Sequence, residues 1–243
     1  MPALIGAITL AGRRWGPAVA GWLSGFPIVT GPILLFVALE QGPRFAAVTA
    51  SGALSGGLAW MAFALSYAWA ATRLPWGWTL PIGLASYLVV GLALVWLALP
   101  FMLVVALVVG AVLLAPSIFP LSAPLPGVPR FSPLEIYVRM LAGGALTVAV
   151  TRLSPVLGPK YSGLFAVFPV MGIVLAAFSH RASGSVFTIR LLRGMVSGFY
   201  AFTAFCLTLA VLLERLGTAA GFFLALLCSL AVHLCVLRFL RRT

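Results

Sequence analysis

The ionisable side chains of this sequence are few, and their spacing limits the chemistry they can do. Aspartate is absent. Three glutamates, Glu40, Glu135 and Glu214, stand against 15 basic residues, for a formal net charge of +12. Glu135 and Arg139 are four apart, which puts them on one face of a helix with the acid on the favourable N-terminal side. In an apolar helix such an intramembrane charge pair is either functional or an interfacial ion pair whose arginine reaches toward headgroups. The position near a helix start favours the second. Glu40, His180 and His233 are candidate proton sites, because imidazole titrates near neutral pH. The plainer readings are a solvated loop carboxylate for Glu40 and hydrogen-bonded interior rings for the histidines. Cys206, Cys228 and Cys235 lie in apolar runs and form no CxxC pair. Two histidines, three scattered cysteines and no aspartate make no metal cluster, and no cofactor is expected. HExxH, P-loop and GxSxG motifs are also missing, so no catalytic residue is assigned and the chain reads as a non-enzyme.

A second kind of residue acts on the backbone. Phe26-Pro27 and Phe168-Pro169 fall inside long apolar runs, and Gly31-Pro32 follows the first of them. Proline removes an amide donor and obstructs the preceding turn, so each run is expected to kink or break there. A broken membrane helix exposes amides and carbonyls, and the positive start of a half-helix can hold an anion. Ser24, Phe26, Pro27, Thr30, Gly31, Ser162, Phe168, Pro169 and Gly172 are therefore the candidates for lining a substrate path. A plain proline kink is the competing reading.

The elements that would carry these residues are transmembrane helices. The chain is 63% hydrophobic and 7% charged. Its apolar runs are of the length, about 20 residues, that crosses a bilayer as a helix, without the alternation of barrel strands. Nine spans are expected: Pro2–Gly12, Pro17–Leu39, Phe45–Ala71, Trp76–Leu97, Phe101–Phe119, Leu134–Arg152, Ser162–Phe178, Phe187–Leu213 and Thr218–Phe239. A Pro-rich connector, Pro120–Pro133, divides the fifth from the sixth. Ten loop and end arginines fall on one side and four basic residues on the other, which puts the C-terminus in the cytoplasm and the N-terminus outside. The basic excess is read first as this topological signal and second as affinity for anionic solutes or headgroups. With no soluble basic domain, nucleic acid is not an expected partner. Membrane lipids are.

The chain also repeats itself. Shifted by 142 residues without a gap, Ala3–Leu74 matches Ala145–Leu216 at 22 of 72 positions, against about seven or eight by chance. Gly16-Pro17 aligns with Gly158-Pro159, Gly21 with Gly163, Phe26-Pro27 with Phe168-Pro169, and Gly42 with Gly184. Gly52–Gly56 and Gly194–Gly198 are GxxxG pairs at matched positions, suited to close helix packing. Five spans separate equivalent helices, so the copies are expected to be inverted, as in many secondary transporters. The expected fold is all-α and polytopic. Residues 1–98 form membrane repeat 1, 99–133 a connector helix and Pro-rich loop, and 134–243 membrane repeat 2.

Lys160-Tyr161-Ser162-Gly163-Leu164-Phe165-Ala166-Val167-Phe168-Pro169, followed by His180, Gly184 and the apolar helices to Phe239, resembles the GlpM-type family of small bacterial inner-membrane proteins. The resemblance implies a bacterial cytoplasmic membrane and supplies neither substrate nor catalytic residues. This chain departs from that pattern by carrying a second, diverged copy in front. It looks like a fused form of a unit that elsewhere pairs as an antiparallel dimer; a homodimer is a further expected partner. The function these readings favour is a small transporter or lipid-linked substrate flippase, with a lean toward anions. The alternative is a non-transporting scaffold or accessory subunit of envelope biogenesis machinery.

Overall fold

A computed structural model describes residues 1–120, 133–153 and 168–240. Among the described residues there are eight helices and no strand. They are α1 (Pro2–Trp15), α2 (Pro17–Ser24), α3 (Thr30–Gln41), α4 (Pro43–Ala71), α5 (Trp76–Leu97), α6 (Phe101–Ile118), α7 (Pro133–Leu153) and α8 (Val170–Leu240). Five stretches are long and apolar enough to cross a membrane: Pro43–Ala71, Trp76–Leu97, Phe101–Ile118, Leu134–Leu153 and Val170–Arg238. The chain is an all-helical membrane protein.

The helices do not correspond one for one with nine spans. The expected span Pro17–Leu39 is two short helices, of 8 and 12 residues, because Phe26-Pro27 interrupts it. Each is too short to cross alone at 1.5 Å per residue. The eighth and ninth expected spans both lie in α8, which turns sharply at Gly184 and Gly217. The start of the seventh, and the Pro-rich connector from residue 121 to 132, lie outside the described residues.

Single glycines set the corners. Gly42 joins α3 to α4 with φ 88 and ψ 165, and Gly184 bends α8 with φ 80 and ψ 179. A side chain is strained at such angles, so glycine is required there. Pro17 and Pro43 then start their helices, where the missing amide costs nothing. Hydroxyls along the helices turn back on their own backbone: Thr9 donates to the Ile5 carbonyl at 2.7 Å, Thr147 to Gly143 at 2.7 Å and Thr208 to Ala204 at 2.8 Å. That leaves them satisfied without water.

The core runs between α4 and the 185–216 segment of α8. Phe63, Tyr67, Phe205 and Leu209 are all fully buried there. The opposite character holds on α5 and α6, where Trp96 is 69% and Met102 73% exposed; apolar surface of that extent belongs against lipid. Trp69 at the end of α4 donates its indole N–H to the Ile118 carbonyl at 2.9 Å, tying α4 to the end of α6.

Two close approaches hold the elements in place. The 185–216 segment of α8 lies backbone to backbone on α2: a Cβ on Gly198 would stand 2.6 Å from the Gly25 Cα, and one on Gly21 would stand 2.7 Å from the Met195 amide. Gly21–Gly25 is thus a further GxxxG pair, meeting Gly194–Gly198. On the other side α1 packs on α7, where Gly143 leaves room for Ile5 and a Cβ on Gly144 would meet Pro2 at 3.3 Å.

Candidate functional site

At Phe26-Pro27 and Phe168-Pro169 the backbone does the same thing twice. The Ile28 amide donates to the Phe26 carbonyl at 2.7 Å, and the Val170 amide donates to the Phe168 carbonyl at 2.7 Å. The Gly31 amide then reaches the Pro27 carbonyl at 2.8 Å, as the Ile173 amide reaches Pro169 at 2.8 Å. The phenylalanine before each proline is steered away from helical angles, and α2 ends just before Phe26. A tight turn follows: α3 starts at Thr30, three residues past Pro27, and α8 starts at Val170, directly after Pro169.

Both breaks open on one cavity of about 120 Å³. Of the residues singled out for a substrate path, Ser24, Phe26, Thr30, Phe168, Pro169 and Gly172 line it. Pro27 and Gly31 do not: both are buried behind the wall, where their contribution is the turn. Ser162 lies outside the described residues. Three further rings close the cavity, Trp60 of α4 with Phe199 and Phe202 of α8. Trp60 stacks on Phe199 with centroids 4.5 Å apart, and the Trp60 Nε1 would stand 3.2 Å from a Cβ on Gly172. The absent side chain at Gly172 makes room for that indole edge. Ser24 donates its hydroxyl to the Gly21 carbonyl at 2.7 Å. The cavity therefore offers aromatic faces, two helix starts and a few hydroxyl and indole groups. None of the described lining residues has an ionisable side chain.

Each break is backed by a polar ring. Phe168 meets Tyr87 of α5 edge-on at 5.5 Å, and Phe26 meets His233 of α8 at 5.1 Å. His233 is also stacked face to face on Trp22 at 3.8 Å. The second histidine, His180, is buried with its Nδ1 3.4 Å from the Tyr67 hydroxyl, a contact that ties α4 to the start of α8. Glu40 is exposed at the end of α3, and Glu214 is exposed on α8.

Arg139 departs from the interfacial placement expected for it. It is 1% exposed, donates to the Ser179 hydroxyl at 3.2 Å, and pairs with Glu135 through Nε at 3.2 Å and through Nη2. Its guanidinium lies 5.8 Å from the centre of the Phe178 ring. Thr9 and Gly12 of α1 border the same small space. The side chain turns inward because partners and room are supplied there, and a buried charge survives only with both. Ile8 borders both this space and the cavity. No group of three or more potential metal ligands occurs among the described residues.

Spacing alone did not single out Trp60, Phe199 and Phe202. The alignment held a signal: Phe202 is the repeat equivalent of Trp60, and Phe199 of Gly57.

These features define a class: a helical membrane protein in which one interrupted helix and the start of a second helix face one cavity. Compared with models of protein families, with curated proteins and with solved structures, the chain matches none.

Proposed function

We propose that this chain is a small secondary transporter, or a flippase for a lipid-linked substrate, built as two inverted repeats whose path runs through the cavity between the Phe-Pro breaks. The observation that carries the proposal is the meeting of both breaks, with the same hydrogen bonds, at one cavity. Interrupted helices paired across a repeat interface are how membrane carriers build a polar site inside an apolar body.

The inversion is supported by how equivalent helices touch. Trp60 stacks on Phe199, and a Cβ on Gly57 would stand 3.1 Å from Phe199 and 3.5 Å from Phe202. Going back from Trp60 to Gly57 on α4 brings Phe202, three steps forward on α8, within reach, the order expected of antiparallel helices. The two contacts also exchange under the 142-residue shift, which is the mark of a two-fold axis. Likewise Pro2 meets Gly144 and Gly6 meets Met140, so α1 runs antiparallel to α7. Reversed equivalents are what an axis in the membrane plane would give.

The glycine contact between α2 and α8 suits a moving part. Smooth backbone surfaces slide where interdigitated side chains lock, so α2 with its break can rock against α8. The starts of α3 and α8, with no carboxylate beside them among the described lining residues, favour an anionic or neutral solute over a cation. The setting that fits the arginine distribution and the GlpM-like stretch is a bacterial inner membrane, with the N-terminus outside. Of that stretch only Phe168 and Pro169 fall among the described residues.

The test is two-sided access. With Cys206, Cys228 and Cys235 replaced by alanine, Ser24→Cys and Thr30→Cys are labelled by an impermeant thiol reagent in right-side-out and in inverted vesicles. A carrier gives labelling from both sides. Labelling from one side, or from neither, contradicts transport and supports the scaffold reading.

A further inference from the structure

His233 and Tyr87 are ionisable side chains that touch the cavity wall from behind, and of these two residue types only histidine ordinarily titrates near neutral pH. The His233 ring is 5% exposed, packed flat on Trp22 at 3.8 Å with planes 12° apart, and tilted against Phe26 at 5.1 Å. Phe26 is itself a lining residue of the cavity. Neither the His233 Nδ1 nor the Trp22 Nε1 has a hydrogen-bond partner among the described residues. An interior imidazole used only for structure normally has its nitrogens satisfied. His180, held by Tyr67, is the example in this chain. The position 142 residues earlier, beyond the aligned segments, is Gly91, so the histidine has no counterpart at that shift.

We propose that His233 is the proton-binding site that couples protonation to the cavity, making the proton the co-substrate of the transport reading above, on which this inference rests. The proton enters at the free ring nitrogen. The resulting imidazolium is held by the face of Trp22, the ring most favourable to a cation. Its charge then lies behind Phe26, where it favours an anion in the cavity, and the anion in turn favours the proton. Coupling of this kind is reciprocal. Trp22 and Phe26 flank the first break, so a change at the imidazole is felt directly by the wall that must move.

Few other groups compete for the role. The α2 helix, Pro17–Ser24, has no charged or titratable residue. The 194–205 stretch of α8 contributes only Tyr200, and the 218–238 stretch of α8 contributes Cys228, Cys235 and Arg238 besides His233 itself.

The experiment uses the full chain, cysteine-free except for Ser24→Cys, in proteoliposomes. The labelling rate by a methanethiosulfonate reagent is followed between about pH 5 and pH 8. Each rate is divided by that of the same protein carrying His233→Phe, which keeps a stacked ring and cannot titrate; His233→Gln serves as a second reference. The intrinsic pH dependence of the thiol cancels in the ratio. A ratio that changes by about fivefold or more through a single-proton transition, and does so again with His180→Gln in both proteins, supports the proposal. A flat ratio overturns it while leaving the transport reading intact. A cysteine unlabelled at every pH overturns both.

Discussion

Trp60 of α4 stacks on Phe199 of α8 with ring centroids 4.5 Å apart and planes 14° from parallel. The pair forms part of the cavity wall and also joins α4 to α8, so one contact serves both the packing and the shape of the cavity. Replacing Trp60 with alanine removes the stack and a buried ring, at a cost of about 3 kcal/mol or more. Thermal unfolding in detergent checks this: Trp60→Ala lowers Tm strongly, and Trp60→Phe retains most of the difference.

The glycine contact predicts a sharp contrast. A Cβ on Gly198 would press on the Trp22 carbonyl and the Gly25 Cα, which are backbone atoms that cannot step aside, whereas one on Gly52 meets nothing within 4 Å. Gly198→Ala is expected to cost about 2 kcal/mol or to prevent assembly, and Gly52→Ala to be neutral. Protease resistance of the purified protein separates the two outcomes.

Equal corners carry equal costs. Gly42 and Gly184 hold nearly the same positive φ in open space, so alanine at either suffers from the backbone angle alone, about 1–2 kcal/mol. Tm shifts that match within error are expected, and a shift at one position only contradicts shared geometry.

The buried arginine is tested by a double change. Glu135→Gln alone weakens the charge partner of Arg139 and is expected to destabilise by about 3 kcal/mol. Adding Arg139→Met removes the stranded charge and fills the same space, so the double variant recovers part of the loss. Denaturation midpoints of the single and double variants measure it.

Much of this architecture is legible in the residues. The limits of α5, Trp76–Leu97, follow from Pro75 before it and an unbroken apolar run. The breaks follow from proline chemistry at Phe26-Pro27 and Phe168-Pro169. Hydropathy does not find them, since Pro17–Leu39 is apolar throughout. The depth of Arg139 was not legible: a four-residue spacing from Glu135 says that they share a face, not that the face turns toward Ser179. Nor was the stack of His233 on Trp22, two residues more than 200 positions apart. Partners of that kind are set by how helices pack, and local pattern carries no record of it. The three cavity rings lie between these cases: the 142-residue shift pairs Phe202 with Trp60 and Phe199 with Gly57.

The most direct test of the account is the sidedness of one repeat-equivalent pair. Glu40 and Ala182 are both exposed and 142 residues apart. In otherwise cysteine-free protein in sealed right-side-out vesicles, Glu40→Cys and Ala182→Cys are labelled singly with an impermeant reagent. Inverted halves place the two on opposite faces, so Glu40→Cys reacts at once and Ala182→Cys only after the membrane is opened. Immediate labelling of both would contradict the inversion, and with it the path proposed between the halves.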